Sequence, residues 1–100
     1  MAKYVISQKA IDDLDGIWDY TLNTWSEEQA VKYYNSIRQS VIDLADNPGV
    51  ISRSFERIRH GLMGYKVGHH IVFYIKRRDG YIRVVRILHE KMDYARHFNQ

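Results

Sequence analysis

The sequence predicts an α+β fold in the order β-α-α-β-β-β. A helical hairpin lies across one face of a small, mostly antiparallel sheet, and a short helical turn ends the chain. Three observations carry this. Two segments before residue 47 repeat apolar residues every three or four positions, the period of an α-helix. After residue 64 the chain turns to β-branched and aromatic runs, the composition of strands. Between two of those runs stands Asp79-Gly80, a strong hairpin-turn pair. Helices first and strands after is an α+β arrangement.

Lys3–Ile6 is short and rich in β-formers, and Ser7 bounds it as a helix cap. The first helix carries Ile11, Leu14, Trp18, Leu22 and Trp25 as one stripe. Asp12, Asp13, Asp15 and Asp19 take the other side, the early ones favoured by the helix dipole. Ser26-Glu27-Glu28-Gln29 is a capping-box pattern. It opens a second helix with Ala30, Tyr34, Ile37, Val41 and Leu44 inward. Asn47-Pro48-Gly49 stops that helix. So short a connection folds the two helices back on each other.

Residues 50–64 read as mostly loop. Tyr65–Val67 is a short strand, Gly68-His69 a turn, and His70–Lys76 a strand with Ile71, Phe73 and Ile75 on one face. Arg77-Arg78-Asp79-Gly80 turns into Tyr81–Leu88, and Met92–Phe98 is a helix or single turn. Leu14, Trp18, Ile37, Val41 and Leu44 bury against one sheet face. The other face, carrying Tyr74, Arg83 or Arg86, is expected to be open.

One hundred residues, 45% apolar with a single proline, make one ordered domain with a modest core. The absence of cysteine excludes disulfides, thiolate chemistry and Cys-type zinc sites, and suits a reducing cytoplasm. No stretch resembles a signal peptide or a membrane span. The net charge of +3 is unevenly placed: residues 1–50 carry −4, residues 51–100 carry +7 and all five histidines. That asymmetry points to an acidic partner for the second half, with a solvated basic face as the plain alternative.

Two helices and a thin sheet cannot bury thirteen aromatics (eight Tyr, two Trp, three Phe). At helical spacing Trp18, Trp25, Tyr33 and Tyr34 are mostly core, yet the surplus they belong to marks a partner surface. Arg83 and Arg86 alternate along a β-branched run that ends on His89 and meets Glu90-Lys91-Met92-Asp93. For Arg86 a structural ion pair with Glu56 or Asp93 competes with a functional role. For His89, capping or packing of the C-terminal turn competes with proton transfer. His69 and His70 point to opposite faces of a strand, so no metal site or cofactor is expected.

The βααβββ order, Leu62–Val67 leading into His69-His70-Ile71-Val72-Phe73-Tyr74, and Val84-Val85-Arg86-Ile87-Leu88-His89 followed by Lys91-Met92-Asp93 together resemble the RelE/ParE superfamily of bacterial toxins. The ParE branch is the nearer. That resemblance implies a type II toxin that inhibits DNA gyrase without being an enzyme. It implies neutralisation by a ParD-like antitoxin through which the pair reaches DNA, and no membrane partner. Antitoxin-binding residues are then Trp18, Trp25, Tyr33, Tyr34, Tyr74 and Arg83. The gyrase-facing set is Arg86, His89, Lys91, Asp93 and Arg96. The alternative branch is the ribosome-dependent messenger-RNA endoribonuclease, with Arg59, Lys66, Arg86 and His89 as catalytic cluster and Glu56 or Glu90 as base. Against it, the chain runs on from Glu90 to Gln100. A plain nucleic-acid-binding module is favoured only by the sequence pI of 9.2.

Overall fold

In the computed structural model, residues 3–47 and 49–98 are described. The helix-stopping role assigned to Pro48 therefore lies outside the described residues. The elements are β1 (Tyr4–Ile6), α1 (Gln8–Thr24), α2 (Glu27–Asp46), β2 (Arg53–Ser54), β3 (Met63–Val67), β4 (His70–Lys76), β5 (Ile82–His89) and α3 (Tyr94–Phe98). The strands form one mixed sheet in the order β1-β5-β4-β3-β2. β1 runs parallel to β5 and the other pairs are antiparallel. β2 lies within the segment expected to be loop. Arg53 and Ser54 pair with Gly64 and Met63, which also starts β3 two residues before the expected Tyr65.

Both helix caps form as their sequences dictate. The Ser7 hydroxyl accepts the Ala10 N–H at 3.1 Å and donates to the Val85 carbonyl at 2.8 Å, so one side chain starts α1 and ties it to β5. Ser26 accepts the Gln29 N–H at 3.1 Å and starts α2. Such caps contribute about 1 kcal/mol each.

The apolar stripe of α1 differs from the expected one. Its inward face is Ala10, Leu14 and Ile17, packed with Ile37, Val41 and Leu44 of α2 against Val72, Tyr74, Ile82, Val84 and Ile87. Ile11 and Leu22 are exposed, Trp25 is 71% exposed, and Trp18 lies half-buried with its edge on Tyr34, centroids 6.0 Å apart. Both stripes share Leu14 and both have helical spacing. The small Ala10, wholly buried, gives α1 close approach to the sheet, whereas an indole there would hold it away. α2 shows the same one-position rotation locally: Tyr34 faces outward, and Tyr33 reaches the β3–β4 turn.

The second sheet face is not open. Phe55, Leu62, Ile71, Phe73, Val85 and Leu88 form a second core there, covered by Ile58, Ile75, Tyr94 and Phe98. Residues 55–62 close as a turn, the Phe55 N–H donating to the Leu62 carbonyl at 2.8 Å. Ile71 and Phe73 share this face, as their alternation predicts. Tyr74 belongs to the helical side, 2% exposed, its hydroxyl 2.6 Å from Ser52 Oγ.

One extra residue in β5 organises both cores. Phe73 pairs with Arg86 but Tyr74 with Val84, leaving Val85 as a bulge. A bulge shifts the phase of a strand's side chains. Val84 and Ile87 therefore both face the helices, and Val85 and Leu88 both face the second core.

The β3–β4 hairpin depends on Gly68. Its φ is +58, and a Cβ there would meet the Tyr33 ring at 2.6 Å. Gly68→Ala is expected to cost about 2–3 kcal/mol from the left-handed backbone and the displaced ring. Thermal denaturation checks this, and an unchanged Tm would show that the turn relaxes freely.

Candidate functional site

The end of α1, the start of α2, the β3–β4 turn and the end of β5 meet around a groove of about 390 Å³. Tyr20, Trp25, Tyr33, His69, His70 and His89 line it. It continues along α1 past Asp12, Gly16 and Met92, with Tyr20, His70 and His89 common to both stretches. Tyr20 and Trp25 are 67% and 71% exposed, and Met92 is 44% exposed. Apolar surface flanked by polar groups at this density suits a partner segment.

The floor of the groove is a hydrogen-bonded cluster. Tyr33 Oη lies 2.6 Å from His70 Nδ1, accepts the His69 N–H at 3.1 Å and sits 3.2 Å from the Val67 carbonyl. His89 sets its edge against His70 at 5.2 Å and stacks near His69 at 6.3 Å. Burial raises the Tyr33 phenol above its usual range. Burial, then the neighbouring His89 and His69, pushes His70 down to about 4. Glu90 bridges His69 Nδ1 at 2.7 Å and Lys66 Nζ at 2.9 Å, and these partners hold its carboxyl at about 2.

These shifts set a pH dependence. Between pH 6.5 and about 4, the unfolded chain binds a proton at His70 that the folded chain excludes. Stability therefore falls as pH drops through that window. Glu90 acts in the same sense lower down, its contribution lost between 4.5 and about 2. Melting curves of the wild type and His70→Gln between pH 7 and about 4 check this. The variant should show a flatter decline, and parallel curves would remove His70 as the cause.

Arg86 is placed differently from either expected pairing. Its Nε and Nη2 each donate at 2.9 Å to the two oxygens of Asp13, and its Nη1 donates to the His97 carbonyl at 3.1 Å. Asp13 also accepts the Ile87 N–H at 2.9 Å. β1 ends opposite Val84, so beyond that point β5 has no strand on its outer edge. The Asp13 carboxylate takes the place of the missing partner. Neither Glu56 nor Asp93 pairs with Arg86: Glu56 is held by the Gly61 N–H at 2.8 Å and by His60, and Asp93 lies exposed in the tail.

The four residues of the nuclease alternative do not converge. Arg59 and Arg86 line a groove beside the start of α1. Lys66 pairs with Glu90, and His89 lines the aromatic groove on the helical side. His89 Nδ1 accepts the Lys91 N–H at 3.2 Å, a turn-capping role. Both proposed bases are weak ones. The Gly61 N–H and His60 lower the Glu56 carboxyl, and Glu90 titrates at about 2. A general base works best with its pKa near the working pH. Among the described residues no group of three His, Asp or Glu is arranged to hold a metal ion.

Of the residues assigned to partner surfaces, Trp25, Tyr34 and Arg83 are exposed, and Trp18 and Tyr33 half-buried. Tyr74 lies in the core and presents no ring outward. Lys91, Asp93 and Arg96 are exposed, while Arg86 is engaged with Asp13. Sequence reasoning missed Asp13 and Tyr94. Asp13 stands three residues after Ala10 and four before Ile17, a spacing that places it on the sheet-facing side.

Comparison with known proteins finds relatives along nearly the whole chain. The family model described as the ParE toxin of the type II toxin–antitoxin system, parDE, matches residues 4–94. The chain is 36% identical over 95 residues to Toxin ParE1 of Mycobacterium tuberculosis, covering 95% of this chain and 96% of that one. It is 33% identical over 97 residues to Toxin ParE1 of Caulobacter vibrioides, covering 97% and 98%. Among solved structures, one titled as a chromosomal ParDE system from P. aeruginosa superposes with a TM-score of 0.72 at 22% identity, covering 89% of this chain and 96% of that one. The RelBE2 toxin–antitoxin complex of M. tuberculosis superposes with a TM-score of 0.58 at 16% identity, covering 88% and 96%. Both share the two-helix, mixed-sheet fold. With identity above 30% sustained along nearly the full length of such relatives, this chain belongs to the ParE toxin family of type II toxin–antitoxin systems.

Proposed function

We propose that this toxin acts by binding DNA gyrase, performs no chemistry itself, and is held inactive by a ParD-like antitoxin through which the pair reaches DNA. The observation that carries this reading is the engagement of Arg86. The strand cation that a nuclease would set on the scissile phosphate is paired with Asp13 and bonded to the His97 carbonyl, which together take three of its five N–H donors and neutralise its charge, with no well-tuned base beside it. The groove with exposed Tyr20, Trp25 and Met92 suits an amphipathic antitoxin segment laid along α1. Trp18 and Tyr34 extend the same helical surface. The working compartment is the cytoplasm, where gyrase is found. No described helix is long and apolar enough to cross a membrane.

Gyrase recognition falls to the exposed charges of the tail, Lys91, Asp93 and Arg96, next to His89. The purified toxin is expected to block supercoiling by gyrase and to leave a translated message intact in primer extension. Lys91→Ala with Arg96→Ala should melt like the wild type, since surface changes usually stay within about 0.5 kcal/mol. It should nevertheless inhibit supercoiling less while still co-purifying with the antitoxin. Discrete toxin-dependent cuts in the message would overturn the non-enzymatic reading. Full inhibition by the double variant would remove these two charges from the gyrase surface.

A further inference from the structure

We propose that the groove between the start of α1, the 55–62 turn, β5 and α3 docks the phosphodiester backbone of duplex DNA directly on the toxin. It encloses about 300 Å³, and Lys9, Arg59, Arg83, Arg86 and His97 are among its lining residues, with no acidic side chain. Arg86 is neutralised by Asp13. Lys9, Arg59 and Arg83 are exposed, and among the described residues none of the three has an ion-pair partner. They come from α1, the 55–62 turn and β5, so only the tertiary fold gathers them. Three like charges facing one small groove repel each other, and a polyanion relieves that repulsion.

The lining favours a duplex backbone over the other polyanions. Single strands are recognised by stacking bases on aromatic rings. Of the two rings here, Phe98 is committed to Phe73 at 5.2 Å, which leaves the half-buried His97 imidazole and no platform for successive bases. An acidic peptide would want apolar anchors, and the exposed ones (Tyr20, Trp25, Met92) line the groove on the helical side instead. Val85 and Phe98 also line the groove but neither is an exposed apolar anchor, and cations without such an anchor or a base-reading element suit sequence-independent phosphate contact. Arg83, expected on the antitoxin surface, lines this groove and not the aromatic one, so this contact concerns a different surface from the antitoxin groove and does not depend on the gyrase reading.

The test is fluorescence anisotropy of the full-length toxin with a labelled duplex of about 20 base pairs at stepped potassium chloride. Each neutralised phosphate contributes about 0.9 to the slope of log affinity against log salt. Arg59→Ala with Arg83→Ala should reduce that slope by about 2 and weaken binding about tenfold or more at low salt. Lys76→Ala with Arg78→Ala removes the same charge from exposed positions at the β4–β5 turn and should leave the slope unchanged. Circular dichroism melting confirms that all variants fold. Four results would overturn the proposal: no duplex binding by the wild type, equal slope changes in both double variants, a single strand bound as tightly as the duplex, or polyglutamate displacing the duplex at lower concentration than unlabelled duplex does.

Discussion

Arg86→Ala is expected to lower the unfolding free energy by about 2–3 kcal/mol, seen as a Tm drop of about 10–20 °C for a chain of this size. The Arg86 and Asp13 side chains are only 13% and 15% exposed, so removing one leaves the other charged and largely cut off from water. Two further bonds go with it: the His97 carbonyl loses its donor, and Asp13 is no longer steered onto the Ile87 N–H. Asp13→Ala should cost a similar amount for the mirror reason. A double-mutant cycle separates the pair from its surroundings, because the double variant leaves no orphaned charge and should lose markedly less than the sum of the singles. Additive losses would show that the two side chains act independently. If Arg86→Ala melted like the wild type yet lost gyrase inhibition, Arg86 would be a contact residue and not a tie between α1, β5 and α3.

Tyr94→Ala with Phe98→Ala is expected to cost about 3–5 kcal/mol. Phe73 is fully buried, and it is covered by three edge-on rings: Phe55 at 4.9 Å, Tyr94 at 5.1 Å and Phe98 at 5.2 Å. Two of the three come from α3. Without them Phe73, Val85 and Leu88 would face water, and the Tyr94 hydroxyl would no longer donate to the Glu90 carbonyl. Chemical denaturation should show a lower midpoint, with increased binding of an apolar dye. A variant as stable as the wild type would mean that α3 is dispensable cover. The contrast with Lys91 and Arg96 matters for function: the tail's rings hold the fold, so a truncation that abolishes toxicity says nothing about gyrase contact. Only the exposed charges test that.

Much of the architecture was legible in order along the chain. The two serine caps, the alternation along β4 and the Asp79-Gly80 turn are local devices whose chemistry acts within a few residues, and each formed as its sequence dictates, although the Tyr74 face of β4, expected to be open, is the one that meets the helices. The face of α1 was less legible, whereas on α2 Ala30, Ile37, Val41 and Leu44 are buried as read and only Tyr34 departs. Ile11, Trp18 and Leu22 have as good a helical period as Ala10, Leu14 and Ile17, and a periodicity counts hydrophobicity without asking how closely the helix must approach its sheet. Alanine settles that, because it alone allows the close approach. β2 was not legible either, since two residues carry no period.

The candidate site divides in the same way. The supply of cations in the second half, the surplus aromatics and the exposed tail charges were all properties of composition, and the sequence by itself determined them. Which charges are free was decided by the tertiary structure alone. Arg86 looked like the most functional residue in the chain until the Val85 bulge and the early end of β1 brought it to an acid 73 positions away. The same fold sent Lys66 to Glu90 and gathered Lys9, Arg59 and Arg83 around one groove. The physical reason is that charge is additive along a sequence, whereas pairing depends on distances of about 3 Å that only the packing of distant segments sets.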